Sequence, residues 1–427
     1  MKILLFPIIA ILIGSYQIKA QQKSNEILVH KLIKKETDEI FNKLVETRRY
    51  FHQNPELAGK EKQTQKFIQQ YLLKLGLEVD TNVYGHGIVG VLRGDKKGKK
   101  MAWRSDMDAL PGNFPDNVDF KSTRDGVQHG CGHDVHMAIG LGIAEVLSKN
   151  KKLLSGTAYF IFQPEEETFV GAKRMVEDGL LAKIKPDEIY GLHITALPVG
   201  AIVAKPNEVF AYQKGLRIKF KNELSEAEAK EISQKISAKL SRYAVNSKPW
   251  EIQLILDPKV GLSNPNTIFR DYLFTENFRI GRKGNEVTLD TYIYETDKLK
   301  QEHIIPEIEQ VIKESKYKDQ LLSVRYTQNN PTVMNDEKLT IKAAGTISKI
   351  YGEKAITPDY GQIPYFNDDF SYFQQKVPGV YFLLGGSNFQ KGMVAMNHAP
   401  NFMVDEECLK IGVERFSSLI FERLKIN

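Results

Sequence analysis

Thr157-Ala158-Tyr159-Phe160-Ile161-Phe162-Gln163-Pro164-Glu165-Glu166-Glu167 begins as an apolar run and ends in three adjacent acids. Residues 157–162 do not alternate with polar side chains, so the strand they predict is buried on both faces. A strand of that kind belongs in a sheet covered by helices. The flanking sequence agrees in both directions. Residues 88–92 and 101–103 read as strands and 137–147 as a helix on the upstream side; 171–180 read as a helix and 189–194 as a strand downstream. Further upstream, 26–51 reads as one long helix or two. Phe67, Tyr71, Leu72 and Leu75 then recur at helical spacing until Gly76 stops the run. The expected fold class is α/β, a central sheet flanked by helices.

The character changes between about residues 210 and 330. Lys/Glu-rich helical stretches, 225–240 and 297–316, are interleaved with strand-like runs at 252–256, 272–280 and 287–294. This pattern predicts a small α+β insert, ferredoxin-like in its mix of elements. The α/β pattern resumes near Thr340, with a strand at 380–384 and a closing helix at 405–425. With 427 residues the chain exceeds one ordinary domain. The expected division is a signal peptide over 1–20, an α/β domain over 21–209 and 331–427, and an inserted domain over 210–330.

Lys2 followed by an apolar stretch over 3–14, too short to span a bilayer, and by Ile18-Lys19-Ala20 before Gln21 reads as a cleaved export signal. The expected location is therefore periplasmic or secreted, with no stable membrane insertion after cleavage. The net charge of +6 is spread along the chain, with Lys and Arg dispersed among Asp and Glu. That argues against a nucleic-acid partner and leaves anionic substrates open. Of the two cysteines, Cys408 falls on an apolar-periodic helix and reads as core, while Cys131 lies among histidines. A disulfide between them is the alternative in an oxidising compartment.

Five of the nine histidines, His129, His133, His136, His193 and His398, fall at predicted strand ends or in the loops beyond. Open α/β sheets gather ligands there. Cys131 and His133 are two apart, and Gly130 and Gly132 let the backbone turn so that both can reach one centre. Thiolate, imidazole and carboxylate together suit zinc, cobalt, nickel or manganese. Taken singly, Cys-Gly-His is as readily structural as functional, an acidic run is a solvated turn, and a lone histidine is a satisfied core residue. Four such signals at successive strand ends are hard to obtain by accident.

These segments resemble the metallopeptidase and amidohydrolase family that contains hippurate hydrolase, aminoacylase and the plant auxin-conjugate hydrolases. The resemblance rests on Phe51–Leu57, Arg104–Pro111, His129–His136, Phe162–Glu167, Gly191–His193, Asp369–Ser371 with Pro378-Gly379, and Asn397–Pro400. It implies a zinc-exopeptidase-like catalytic domain with a lid used for dimerisation. It also implies two divalent ions (zinc, manganese, cobalt or nickel) held by Cys131, His133, Glu167, His193 and His398, with Cys131 as the bridge. Glu166 is then the general base, Asp106 orients a metal-binding histidine from behind, and Asp134 and His136 fix ligand orientation. Asn266 and Arg279 would hold a substrate carboxylate. Residues 220–225 lack the histidine that relatives carry in the lid. The leading expectation is hydrolysis of N-acyl amino acids or small peptides next to a free carboxylate. The alternatives are an aminopeptidase or dipeptidase, with Glu165 receiving the free amine, and an exported metal-binding protein without turnover. A homodimer through the lid is the expected assembly.

Overall fold

In the computed structural model, residues 6–221 and 223–426 are described. The first five residues of the expected signal peptide lie outside them. A helix runs over Phe6–Gln53. Among the described residues, no helix is long and apolar enough to cross a membrane.

The central sheet has seven strands in the order Glu78–Asp80, Ile88–Arg93, Ser155–Gln163, Lys96–Asp106, Glu188–Pro198, Gly379–Ser387, Ile202–Val203. The middle four are parallel and the flanking three antiparallel. The opening strand explains the arrangement. Phe160 and Phe162 enter one core with Trp103, Ile139, Leu141 and Phe416. Tyr159 and Ile161, one step out of phase, enter the opposite core with Ala172, Met175, Phe370 and Tyr381. Both faces of the strand are thus removed from water, as period-two side-chain alternation requires. Phe6–Gln53, His133–Lys149 and Glu407–Arg423 pack against one another over the first face. Cys408 is fully buried in that layer, and both cysteines are free thiols, so the disulfide reading is wrong.

A second sheet is drawn wholly from residues 212–328, in the order Leu273–Thr275, Glu286–Glu295, Tyr212–Lys221, Leu321–Gln328, with Arg279–Lys283 also on Glu286–Glu295. Helices Glu226–Leu240 and Ile304–Lys313 cover one of its faces through Ile218, Phe220, Ile232, Ile236, Ile308 and Ile312. Ser225 starts the first helix with a reciprocal capping box to Glu228. The other face is open.

Three local expectations fail here. Ile252–Leu256 is a 3-10 helix rather than a strand, because a short apolar run with no period is ambiguous and this one turns at Pro258. The run over 272–280 is two short strands, Leu273–Thr275 and Arg279–Lys283, with a break between. The helix expected from 297 begins at Ile304 after a 3-10 turn, which places Pro306 in its first turn, where proline is tolerated.

Candidate metal centre

The donors meet above the carboxyl ends of the parallel strands. Cys131 Sγ lies 3.4 Å from His193 Nε2 and 3.2 Å from His398 Nε2. Glu167 Oε1 lies 3.2 Å from His398 Nε2 and 3.8 Å from His133 Nε2. Two overlapping donor groups result, Cys131 with His133 and His193, and Cys131 with Glu167 and His398, sharing the sulfur.

Two of the rings, His133 and His193, are turned by a bond on the far nitrogen. His133 donates from Nδ1 to the Asp108 carbonyl at 2.7 Å, leaving Nε2 buried with no hydrogen-bond partner. His193 donates from Nδ1 to the Ile194 carbonyl at 2.7 Å. Fixing the proton on Nδ1 leaves Nε2 as the lone-pair donor, the usual device around a metal. The approach of Cys131 to His133 depends on Gly132, which has φ +91°. A Cβ at that position would fall 2.2 Å from Ile194 Cγ2, so a glycine is obligatory.

The electrostatics call for cations. Burial lowers the proton affinity of His133, yet Asp106, Asp108 and Glu167 outweigh it and hold the ring up at about 10. Burial, with Glu167, Glu166 and Asp106 beside it, drives the Cys131 thiol well up. A thiolate there needs a positive neighbour other than a proton. Unpartnered His133 Nε2, a converging sulfur and a carboxylate fit divalent ions of the borderline-soft kind.

Glu166 is buried beside the donors, with Oε2 3.9 Å from His133 Nε2. Burial, then Asp368, Glu167 and Asp369, push its carboxyl well above the usual range. Behind it, Arg104 is fully buried and bonds Gln163 Oε1 at 2.8 Å, Asp106 at 2.7 Å and Asp369 at 2.9 Å, with Asp368 at 3.1 Å. The cation that these carboxylates require is therefore a protein side chain.

The structure gathers Cys131, His133, Glu166, Glu167, His193 and His398, but changes the part given to Asp106. Its Oδ1 accepts from His136 Nδ1 at 2.6 Å, and His136 Nε2 in turn accepts the Ile194 N–H at 2.9 Å. Both nitrogens of His136 are occupied, so the short bond of Asp106 goes to His136 rather than to one of the five expected ligands, while its other oxygen lies 3.8 Å from His133 Nε2. Asp134 binds Arg48 at 2.8 Å and His52 at 2.9 Å, anchoring the first turn of helix His133–Lys149. Asp108 does the work expected of Asp106. Its carboxylate accepts the Glu166 and Glu167 N–H groups, each at 3.0 Å, while its carbonyl turns His133. The adjacency of two aspartates in Arg104–Pro111 was the signal for it. Asn397, bonding the Cys131 and Ile194 carbonyls, was carried by the motif around His398.

Three residues stay away from the donors. Glu165 has φ +57°, and its carboxylate meets Tyr84 Oη at 3.2 Å and the neighbourhood of Gly59, so it cannot receive a free amine at the site. Asn266 and Arg279 are exposed, and neither lines the cavity of about 740 Å³ over the donors. That cavity runs from Cys131, Glu166 and His398 to Gln213, Tyr292 and Thr327 on the lid. Among the described residues lining it there is no Lys or Arg.

A parallel-centred sheet with a Cys/His/Glu donor set at its carboxyl edge, a buried carboxylate beside it and a lid over it defines a metal-dependent amide hydrolase. The pattern of peptidase family M20/M25/M40 matches residues 102–422, and the chain belongs to that family. It is 33% identical over 395 residues to thermostable carboxypeptidase 2 of Saccharolobus solfataricus, covering 90% of this chain and 96% of that one. It is 28% identical over 387 residues to N-acetylcysteine deacetylase of Bacillus subtilis, covering 88% and 96%. Among solved structures, a dinuclear metal-binding peptidase of the M20 family from Bacillus subtilis superposes with TM-score 0.72 at 26% identity, covering 91% of this chain and 99% of the other.

Proposed function

We propose that this chain cleaves the amide bond of N-acyl amino acids or small peptides at a two-metal centre held by Cys131, His133, Glu167, His193 and His398. The convergence of three imidazoles and Glu167 around one sulfur carries the reading. Two bound divalent ions supply Lewis acidity for water and for the scissile carbonyl. The chain's own residues do the rest. Glu166 takes a proton from the attacking water and returns it to the leaving amine, a task for which a carboxyl shifted upward by burial is suited. Asp108 holds Glu166 and Glu167 through their backbone N–H groups, keeping base and ligand in fixed register. Thr168, Phe169 and Phe366 line the cavity beside the donors. Because Glu165 is turned away, the free-amine reading loses its acid.

The test is turnover of N-acetyl amino acids, N-benzoyl amino acids and dipeptides by the protein loaded with zinc, cobalt or manganese. Release of the amino acid from an acyl or peptidyl substrate is expected; no release from any of them, with metal bound, contradicts the proposal. Residues 1–20 are read as an export signal on the sequence pattern given above. The mass of the protein recovered from the producing cell should begin at or near Gln21, and an intact N-terminus in the cytoplasm would refute export.

A further inference from the structure

The open face of the lid sheet concentrates charge that looks dispersed along the chain. Arg217, Lys219 and Lys221 project from one strand. Arg279 and Lys283 do so from a second and Arg325 from a third, all in phase with Asp290 and Glu286 on the strand between. Six cations thus face two acids, a net +4 on one sheet face of a chain whose total is +6. The two acids are already engaged. Arg217 holds Asp290 at 2.6 Å, and Lys219 holds Glu286 at 2.7 Å. Arg325 sits directly opposite Arg217 across the ladder, and because Asp290 already matches Arg217, Arg325 adds a cation that this ion pair does not balance.

This face adjoins the cavity over the metal donors. A cleft of about 320 Å³ bounded by Arg217, Arg279 and Asp290 shares Tyr292 and Thr327 with the 740 Å³ cavity over the metal donors. The cleft thus borders the cavity, whose described lining carries no Lys or Arg, and an extended ligand in one could reach the other. We propose that the open lid face is an anion-binding track for the distal part of the substrate, and that the preferred substrates are acidic peptides. Their cleaved amide lies at the metal donors while carboxylate side chains further along reach Arg279, Arg325 and Lys283. The proposal rests on the hydrolase reading for the identity of the attached group, and on the lid geometry for its charge.

The test compares N-acetyl-Ala-Glu-Glu-Ala with its glutamine isostere in two measurements on the full chain. In calorimetry with the metal-loaded Glu166→Gln protein, the glutamate peptide should bind roughly tenfold tighter at low ionic strength. That lead should shrink at about 0.3 M salt, and in the Arg325→Gln/Lys283→Gln double variant. Equal binding of the two peptides overturns the track, as does a lead that survives both the salt and the double variant. Tighter binding of a single-stranded oligonucleotide of equal charge overturns the acidic-peptide assignment in favour of nucleic acid. In turnover by the wild-type protein, the ratio of kcat/KM for the two peptides should fall in the double variant. Cleavage of both at one kcat/KM refutes the track while leaving the hydrolase reading intact. Selective binding of the glutamate peptide with cleavage of neither refutes the hydrolase reading while leaving the track intact.

Discussion

The proposed reaction gives the neighbours Glu166 and Glu167 different tasks, and the backbone is compatible with both. Asp108 captures their two N–H groups, so the peptide units are fixed before either side chain is placed. Glu167 then faces His398 and His133, and Glu166 faces the carboxylates gathered on Arg104. Replacing Glu166 by Gln keeps the size and removes only the proton acceptor. Metal content should therefore match the wild type while kcat falls by at least about a hundredfold. Paired elemental analysis and rate measurement check this, and retained turnover would remove Glu166 from the reaction.

At the scale of elements, the centre depends on contacts between helix ends. His52, at the end of the first helix, links Asp134 on the first turn of helix His133–Lys149, at 2.9 Å, to Asp116, at 3.0 Å. Burial and Arg48 lower the proton affinity of His52, but Asp116 and Asp134 outweigh them and the net shift is upward. A raised folded pKa means the stabilisation is complete below the unfolded value of about 6.5 and is lost as pH rises through the folded value. The melting-temperature gap between wild type and His52→Gln should therefore narrow as the pH rises above about 6.5. A gap that is constant or widens would show that His52 is not held as a cation.

The same scale shows which elements could be read in advance. Strand Ser155–Gln163 was legible because burial on both faces leaves an unbroken apolar run, and the acids at its end marked the site. His133 and His136 were expected in a loop but lie on a helical turn, since Gly130 and Gly132 disguise how soon that helix starts. The pair of aspartates in Arg104–Pro111 signalled that either could serve but not which, because carboxylates two residues apart on one strand end differ only in what they meet in three dimensions.

At the scale of the whole molecule, the catalytic half was more legible than the lid. Its donors sit in short local motifs, and the sheet needs only chain order to bring them together. The lid's charge is different: Arg217, Arg279 and Arg325 are separated by dozens of residues, and only antiparallel register puts them on one face. Dispersal along the chain is what the sequence displays, and the grouping on one lid face is visible only in the register.

The proposed centre would hold two divalent ions, with the Cys131 sulfur belonging to both donor groups. Its most direct test is a calorimetric titration of the metal-free protein with zinc or manganese, run in parallel on Cys131→Ala. Two ions per wild-type chain are expected, with the second lost or greatly weakened in the variant. Binding of fewer than two ions by the wild type, or of two with unchanged affinity by Cys131→Ala, would contradict the account.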